Sequence, residues 1–422
     1  NITFMNNSIE IMAPAGSYES LMAAINAGAN SVYFGIEQLN MRARAANNFT
    51  TEDLKKIVKI CKEHNVKTYL TLNTIMYDHD ITLMKKICDT AKEEGVTAAI
   101  CSDVAAMSYA KEIGLEVHIS TQANVSNFET VKFYAQFADV IVLARELTFK
   151  QVKRITENIE KEQVKGPSGN LVEIELFIHG ALCVAVSGKC YMSLATYNSS
   201  ANRGACLQNC RRSYKVIDEE TGDELVIDNK YIMSPKDLCT IGFIDKILDS
   251  GVKVLKIEGR GRAPDYVHTT VGCYREAVDS YKEGTYTEEK INVWTKRLET
   301  VFNRGFWHGG YYLGKQLGEW SGIYGSKTTK EKKYLGLAKN YFMKPKIAEF
   351  QLEAFEVKVG DEILITGPTT GVIQMNIESL FKDEKKVDSA VKGDEITFPV
   401  SEKVRPNDKL FLIVDVKNDK PN

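Results

Sequence analysis

The 422-residue chain lacks any apolar run of the roughly 18–20 residues that a bilayer-spanning helix requires. Its opening stretch, NITFMNNSIEIMAPAGS, has no basic segment leading into an apolar one. No secretory leader and no membrane partner are therefore expected, and the cytoplasm is the expected location. An excess of positive charge is missing too: 54 Lys and Arg stand against 56 Asp and Glu, for a net charge of −2. That excludes a whole-chain electrostatic footprint for nucleic acid but leaves local basic patches open. No G-x-G-x-x-G follows the first β-like run, where APAGSYES stands instead. H-E-x-x-H, G-x-S-x-G and an evident Ser/His/Asp order are absent as well, which removes the usual signatures of zinc proteases and serine hydrolases. The nine cysteines are an odd number in a long chain of intracellular character, which argues against a disulfide framework.

What is present is a soluble composition, 44% hydrophobic and 26% charged, in a chain long enough for a large core and an accessory module. Short apolar runs alternate with longer amphipathic stretches. The runs are IEIMAPAG, SVYFG, KTYLTLN, AAICSD, EVHIST, DVIVLARE, EIELFIHG and VKVLKIEGR. They are short, continuous and rich in Val, Ile, Leu and Tyr, as strands buried on both faces should be. Eight such β/α repeats predict a (β/α)8 TIM-like barrel of the α/β class. Ser17 is expected to cap the first helix, with Gly28 ending it, and Thr50 or Thr51 to cap the next, with Asp53 in its first turn.

In such a barrel, chemistry sits at the C-terminal ends of the strands. Those ends are polar here: Asn73; Ser102 and Asp103; Thr121, Gln122 and Asn124; Arg145 and Glu146; His179; Lys256, Glu258 and Arg260. Each alone could serve a structural hydrogen bond, but together they predict a polar pocket. About seventy residues interrupt the repeat between the seventh and eighth runs. The division expected is a barrel domain over 1–325 with a Cys-rich insert at about 181–240, then a small C-terminal β-barrel domain over 326–422. The tail reads as short alternating strands broken by Gly, Asp and Pro turns. A lysine-rich hinge, KTTKEKK, precedes it. The Gly- and aromatic-rich stretch RGFWHGGYYLGKQLGEWSGIYGS is expected to pack against the barrel, with base stacking as its alternative use.

Cys61, Cys88 and Cys101 stand in apolar contexts and read as core. Five of the nine cysteines fall between Cys183 and Cys239, spaced C-x6-C (Cys183, Cys190) and C-x3-C (Cys206, Cys210), with Cys239 further on. Four thiolates complete a tetrahedral zinc site or an iron–sulfur cluster. C-x6-C is wide for a zinc ribbon, although C-x3-C fits one. A cluster tolerates irregular spacing because it spans the gap itself. Redox or unligated thiols are the third use. Arg203, Arg211, Arg212 and Lys215 flank the second pair, where they could stabilise thiolates, contact RNA phosphate or form a solvated face.

The segment ELFIHGALCVAVSGKCYMS, from Glu175 to Ser193, has the form E-x-F-x-x-G-A-L-C-x4-G-x-C-x-M-S. It resembles the signature of the collagenase-like peptidase family U-32. So do ANRGACLQNCRRSY, SPKDLC, LKIEGRGR, NMRARAANNF and STQANVSN, over about residues 10–320. The family name implies a peptidase, yet the residues offer no protease signature. Other branches of the family imply iron–sulfur enzymes that hydroxylate an aromatic ring or an RNA base without molecular oxygen. The branch that TQANVSN, HGALC and NRGACLQNCRR most resemble forms 5-hydroxyuridine at the wobble position of tRNA and depends on prephenate; another hydroxylates a cytidine of 23S rRNA. The resemblance implies that Cys183, Cys190 and Cys206 ligate an iron–sulfur cluster, [4Fe-4S] in type, with Cys210 as fourth ligand and Cys239 as its alternative. On this reading Arg42, Arg44, Arg145 and Arg260 suit a dicarboxylate such as prephenate. Gln122, Asn124 and Lys256 contact substrate, and His179, Glu258 and Asn73 are the candidate catalytic groups. The expected partner is tRNA through its anticodon loop, alongside a paralogous subunit or a second copy of the chain.

Overall fold

The computed structural model describes residues 9–43, 48–215, 217, 219–222, 233–314, 319–323 and 325–416. Arg44 lies outside the described residues. Eight parallel strands close a barrel. They are β1 (Glu10–Pro14), β2 (Ser31–Phe34), β3 (Lys67–Leu72), β4 (Ala98–Cys101), β5 (Glu116–Ile119), β6 (Val140–Val142), β7 (Glu173–Gly180) and, after a short strand β8 (Asp237–Cys239), β9 (Val254–Ile257). Each pairs with the next, and β9 closes the ring by pairing with β7 and with β1, where Glu10 and Glu175 both face Val254 in register. All eight sequence runs are barrel strands. Their unbroken apolar character follows from burial against helices outside and side-chain layers inside.

The helices that cover the barrel are α1 (Tyr18–Asn26), α2 (Asp53–Glu63), α3 (Ile81–Glu94), α4 (Val104–Glu112), α5 (Phe128–Tyr134) and α6 (Phe149–Glu162). A short α7 (Met192–Tyr197) lies in the insert; α8 (Ile244–Asp249), α9 (Pro264–Lys282) and α10 (Glu288–Glu299) complete the layer. Their apolar stripes follow helical spacing: Leu54, Ile57, Val58 and Cys61 are the buried residues of α2. Cys61, Cys88 and Cys101 are buried core residues. Ser17 caps α1 by accepting the Ser20 N–H at 3.2 Å, and Gly28 follows its end at φ 90°. The expected cap of α2 is reversed. Glu52 occupies the cap position without a side-chain bond, and the Asp53 carboxylate instead accepts from Thr50 N at 2.8 Å. Among the described residues no helix is long and apolar enough to cross a membrane.

The insert leaves at Gly180, whose φ of 105° suits glycine and where a Cβ would stand 2.6 Å from the Glu258 carbonyl oxygen. It returns through β8, antiparallel to the end of β7, and β10 (Phe306–His308) adds to β8. The aromatic stretch packs on the barrel as expected: Trp307 is fully buried and the Tyr312 hydroxyl donates to the Phe177 carbonyl at 2.8 Å.

The C-terminal part is antiparallel: β11 (Lys330–Phe342), β12 (Ile347–Leu352), β13 (Glu356–Lys358), β14 (Glu362–Gly367), β15 (Gly371–Asn376), β16 (Leu380–Lys382), β17 (Lys385–Val387), β18 (Ser389–Val391), β19 (Glu395–Pro399) and β20 (Lys409–Asp415). Eight of these form one sheet in the order β15-β14-β20-β11-β12-β19-β16-β17, and β13 pairs with β18. The sheet has its own apolar core, in which Phe350 and Phe398 stack. The segment expected as a hinge, KTTKEKK, is partly strand: Lys330 to Lys333 pair with β20. The sheet docks on the barrel where Ala23 meets Leu364 and Val372, and where Lys332 pairs with Asp265 at 2.5 Å.

Candidate active site at the barrel mouth

Over the C-terminal ends of the strands lies a cavity of about 150 Å³. Its floor comes from inward-facing barrel residues, Tyr33, Thr71, Ile100, Phe177 and Lys256. Its walls include Asn73, Ser120, Gln122, Arg145 and Glu258, and its roof is the insert, which contributes Cys183, Cys190, Cys206 and Cys210. A second compartment of about 280 Å³ adjoins it, sharing Arg42, Arg145, Glu258 and three of the thiols, and adds Arg211, Arg262 and Arg304.

The floor carries a buried ion pair. Lys256 Nζ donates to Glu175 Oε1 at 2.7 Å, with side chains 6% and 0% exposed. The ammonium also lies over the rings of Tyr33 and Phe177 at 4.8 and 5.4 Å. The other Glu175 oxygen is buried with no hydrogen-bond partner. On the wall, Arg42 Nη2 pairs with Glu258 Oε1 at 2.5 Å, and Tyr33 Oη donates to the Ile257 carbonyl at 2.9 Å while reaching Glu258 Oε2 at 3.3 Å. Burial alone would raise the Glu258 pKa. Arg42, with Arg145 and Arg262 beyond it, outweighs burial and holds the carboxyl at about 2. Glu258 is therefore ionised at neutral pH and a weak proton acceptor, suited to orienting Arg42 and Tyr33.

Asn73 and Gln122 form one amide network. Asn73 Nδ2 donates to Ser120 Oγ and Gln122 Oε1, both at 3.2 Å, and its side-chain Oδ1 accepts from Met41 N at 3.1 Å. Asn124 does not line the cavity; its amide donates to the Gln122 carbonyl at 2.9 Å and to that of Ser187 at 3.4 Å, tying the strand end to the insert. Ser102 and Asp103 are likewise structural, the first donating to Asn73 O and the second capping α4.

Besides Asn124, two further residues stand otherwise than expected. His179 lines neither compartment. It is 2% exposed among Tyr266, Tyr274 and Phe306, with Nδ1 3.3 Å from the Tyr274 hydroxyl, and burial and then His308 lower its pKa to about 3. It is neutral at physiological pH and faces away from both compartments, because the last residues of β7 turn towards β8 and α9 as the insert departs. Arg260 does reach the cavity, but its guanidinium donates to Thr71 Oγ1 at 3.0 Å and to Asn40 Oδ1 at 2.7 Å, beside Gly35, where a Cβ would clash with it at 2.1 Å. It braces the loop that carries Arg42 instead of offering a free cation.

The thiols divide. Cys183, Cys190, Cys206 and Cys210 share the cavity roof, and Cys210 is raised in pKa by burial, against Arg211 and together with the three other thiols. Cys239 is fully buried at the end of β8, near the Tyr274 hydroxyl at 4.0 Å and pushed up to about 12 by burial. It lies outside both compartments. Among the described residues no three Cys, His, Asp or Glu side chains converge closely enough to bind a single metal ion. Four thiols in one cavity roof are a donor set that a thiolate-bound metal centre could use. The arginines flanking the second pair hold the insert in place. Arg203 pairs with Asp80 and lies over Tyr77, Arg211 donates to the carbonyls of Leu182 and Pro235, and Arg212 donates to Tyr197 Oη.

Tyr33, Glu175, Phe177, Arg262 and Arg304 belong to the site although strand-end reasoning did not single them out. Glu175 and Arg262 sat inside the motifs ELFIHG and EGRGR, which is the signal that could have found them.

A closed parallel barrel whose mouth is roofed by a thiol-bearing insert defines a class of TIM-like proteins with a sulfur-rich, arginine-walled pocket. The chain matches the model of Peptidase family U32 over residues 16–322, and it belongs to that family. It is 60% identical over 405 residues to a Porphyromonas gingivalis protein named collagenase, covering 96% of this chain and 98% of that one. It is 30% identical over 414 residues to a Bacillus subtilis tRNA hydroxylation protein, covering 95% and 94%. It is 33% identical over 284 residues to an Escherichia coli 23S rRNA 5-hydroxycytidine synthase, covering 67% of this chain and 41% of that one. The family thus holds RNA-hydroxylating members as well as members named for collagen cleavage, and the latter name belongs to a relative of higher identity.

Proposed function

We propose that this chain is an oxygen-independent RNA hydroxylase that forms 5-hydroxyuridine at the wobble position of tRNA, with prephenate as co-substrate and an iron–sulfur cluster, [4Fe-4S] in type, on Cys183, Cys190, Cys206 and Cys210. The observation that carries this reading is the shared cavity roof of those four thiols above a polar barrel mouth. Relatives named for tRNA and rRNA hydroxylation support the substrate class. Such a cluster supplies electron transfer. The protein's own groups bind and orient. An anticodon-loop base is cheap to splay from its neighbours and can enter the mouth. The Asn73–Ser120–Gln122 network presents amide and hydroxyl groups to its edge, Phe177 and Tyr33 offer ring faces, and Glu258 keeps Arg42 and Tyr33 in place.

The 23S rRNA cytidine is the alternative base, since one relative is named for it. Collagen-type peptidase activity is the second reading, favoured by the 60% identical relative. Against it, no histidine is among the described residues that line either compartment, so a Ser or Cys nucleophile there lacks the usual base. Nucleoside mass spectrometry of tRNA and rRNA from cells with and without the gene decides between these readings. Loss of 5-hydroxyuridine on deletion, restored by the intact gene and not by Cys183→Ala, is expected. Unchanged nucleosides together with collagen cleavage by iron-free protein would replace this reading with the peptidase one.

A further inference from the structure

The compartment beside the thiols is lined by more guanidinium groups than carboxylates. Five guanidinium groups line it: Arg42, Arg145, Arg211, Arg262 and Arg304. Glu258 matches Arg42 and Asp237 matches Arg304, the latter at 3.3 Å. The remaining three have no carboxylate of their own. Arg211 is held by neutral oxygens, those of Leu182, Ser234 and Pro235. Arg145 donates one Nη to the Ala181 carbonyl and lies 4.2 Å over Phe177, while its Nε is buried with no hydrogen-bond partner. Arg262 rests 3.6 Å from the Phe302 ring centre, and Arg304 lies 5.1 Å from the same ring. Stacking fixes the plane of a guanidinium while leaving its N–H edge available for a bidentate anion. Clustered, partly desolvated cations of one sign are unfavourable unless a counter-anion arrives.

We propose that this compartment binds the small co-substrate, a dianionic carboxylic acid, with Arg145 and Arg262 as its clamp, while the nucleobase takes the adjoining cavity above Tyr33 and Lys256. The assignment rests on the hydroxylase reading and moves the acid away from Arg260, which is engaged with Thr71 and Asn40. Two guanidinium groups without a carboxylate of their own suit two carboxylates better than one phosphodiester charge. A space of about 280 Å³ sits just below the range of roughly 300–1,000 Å³ typical of drug-sized ligands, which suits a compact acid better than a nucleotide with its sugar and phosphate. Because Arg42 and Glu258 border both compartments, the two substrates would meet beside the same thiols.

The test uses the full chain, loaded with iron and sulfide under anaerobic conditions. Prephenate and succinate binding is read by calorimetry, an anticodon stem-loop by fluorescence anisotropy, and the cluster by its visible spectrum. Arg262→Gln should weaken both acids by roughly tenfold or more, as expected on losing a charge-assisted bidentate contact. RNA affinity and the spectrum should stay unchanged. Arg262→Lys, which keeps the charge, should recover only part of the loss and serves if the Gln variant folds poorly. Unchanged acid binding with weakened RNA binding would reassign the compartment to RNA phosphate. Unchanged binding of both with a shifted spectrum would make the arginines counter-charges of ligated thiolates. Absence of acid binding to the intact protein also overturns the proposal. The two readings fail separately. Acid binding that depends on Arg262, in a protein whose deletion alters no nucleoside, keeps the site and removes the hydroxylase. Hydroxylation with acid binding indifferent to Arg262 does the reverse.

Discussion

The barrel and the C-terminal sheet bury their polar groups by different rules. In the sheet the core is Leu, Ile, Val, Ala and Phe, and its buried carboxylate, Asp408, is bonded by Thr370 Oγ1 at 2.5 Å and Arg405 N at 2.9 Å. Among the described residues, every buried side-chain nitrogen or oxygen left without a partner lies at or before Trp307. Several of these are at the mouth or in the interior of the barrel: Arg145 Nε, Glu175 Oε2, Thr121 Oγ1, Asn209 Oδ1 and His118 Nδ1. Native interiors satisfy nearly all such groups, so each exception at the mouth is an atom that a ligand or a water can bond. The sheet is built for stability and docking; the barrel mouth carries a stability cost that a ligand can offset.

If this contrast is right, the two interiors respond to mutation in opposite ways. The largest expected effect is in the sheet. Phe350 is fully buried and stacked on Phe398 at 5.1 Å, so Phe350→Ala should lower unfolding stability by about 3–5 kcal/mol through lost transfer energy and an unfilled cavity. Denaturant titration should show that loss, and activity per folded molecule should be unchanged. Loss of activity in the folded fraction would mean that the sheet takes part in the reaction.

The barrel floor sharpens the comparison. Glu175→Gln leaves the Lys256 ammonium buried without its carboxylate and should cost about 3 kcal/mol, the range seen when one partner of a buried pair is removed. The double replacement Glu175→Leu with Lys256→Met removes both charges and should regain most of that stability, since apolar substitutes for a buried pair are often neutral or stabilising. Activity should be lost in both variants. A stable and active double variant would show the pair to be structural, and the floor would then follow the same rule as the sheet.

His179 gives a pH signature. Its folded pKa of about 3 is below the ordinary 6.5, so between these values the unfolded chain binds the extra proton. Stability is therefore complete above about 6.5 and falls as pH drops towards 3, by at most roughly 1.4 kcal/mol per pH unit. His179→Phe should flatten that slope in denaturant titrations repeated from pH 7 to pH 4. A slope unchanged by the substitution would place the titrating group elsewhere.

How much of this was legible depended on how far apart the deciding contacts lie in the chain. The eight strands could be read because two-sided burial writes a continuous apolar run into each, and the insert because it breaks the repeat after EIELFIHG. Strand-end polarity located the mouth, and the thiol spacing separated Cys183, Cys190, Cys206 and Cys210 from core cysteines. The direction of individual side chains could not be read. His179 and Lys256 both stand at strand ends, yet β7 bends away at Gly180 and turns His179 towards Tyr274 while Lys256 stays inside. Arg260 is claimed by Asn40, 220 residues away, and the Arg262–Phe302 stack requires the chain to return after α10. Local mistakes had local causes. The Asp53 carboxylate takes up both the Thr50 N–H and its hydroxyl, so that hydroxyl donates instead of capping, and KTTKEKK is drawn into strand by pairing with β20.

The smallest expected effect lies at the junction of the two interiors. Lys332 pairs with Asp265 on the first turn of α9, with side chains 30% and 17% exposed. The contact is partly solvated, so Lys332→Ala should cost no more than about 1 kcal/mol, and less in high salt. The apolar contact of Ala23 with Leu364 and Val372 has no such screening. Ala23→Asp would place a carboxylate in that dry contact and should release the sheet from the barrel, read as two separate unfolding transitions in calorimetry where the intact protein shows coupled ones. If Lys332→Ala alone uncoupled them, the junction would depend on charge, and the stability of the two interiors would be linked through solvent-accessible contacts instead of shared apolar packing.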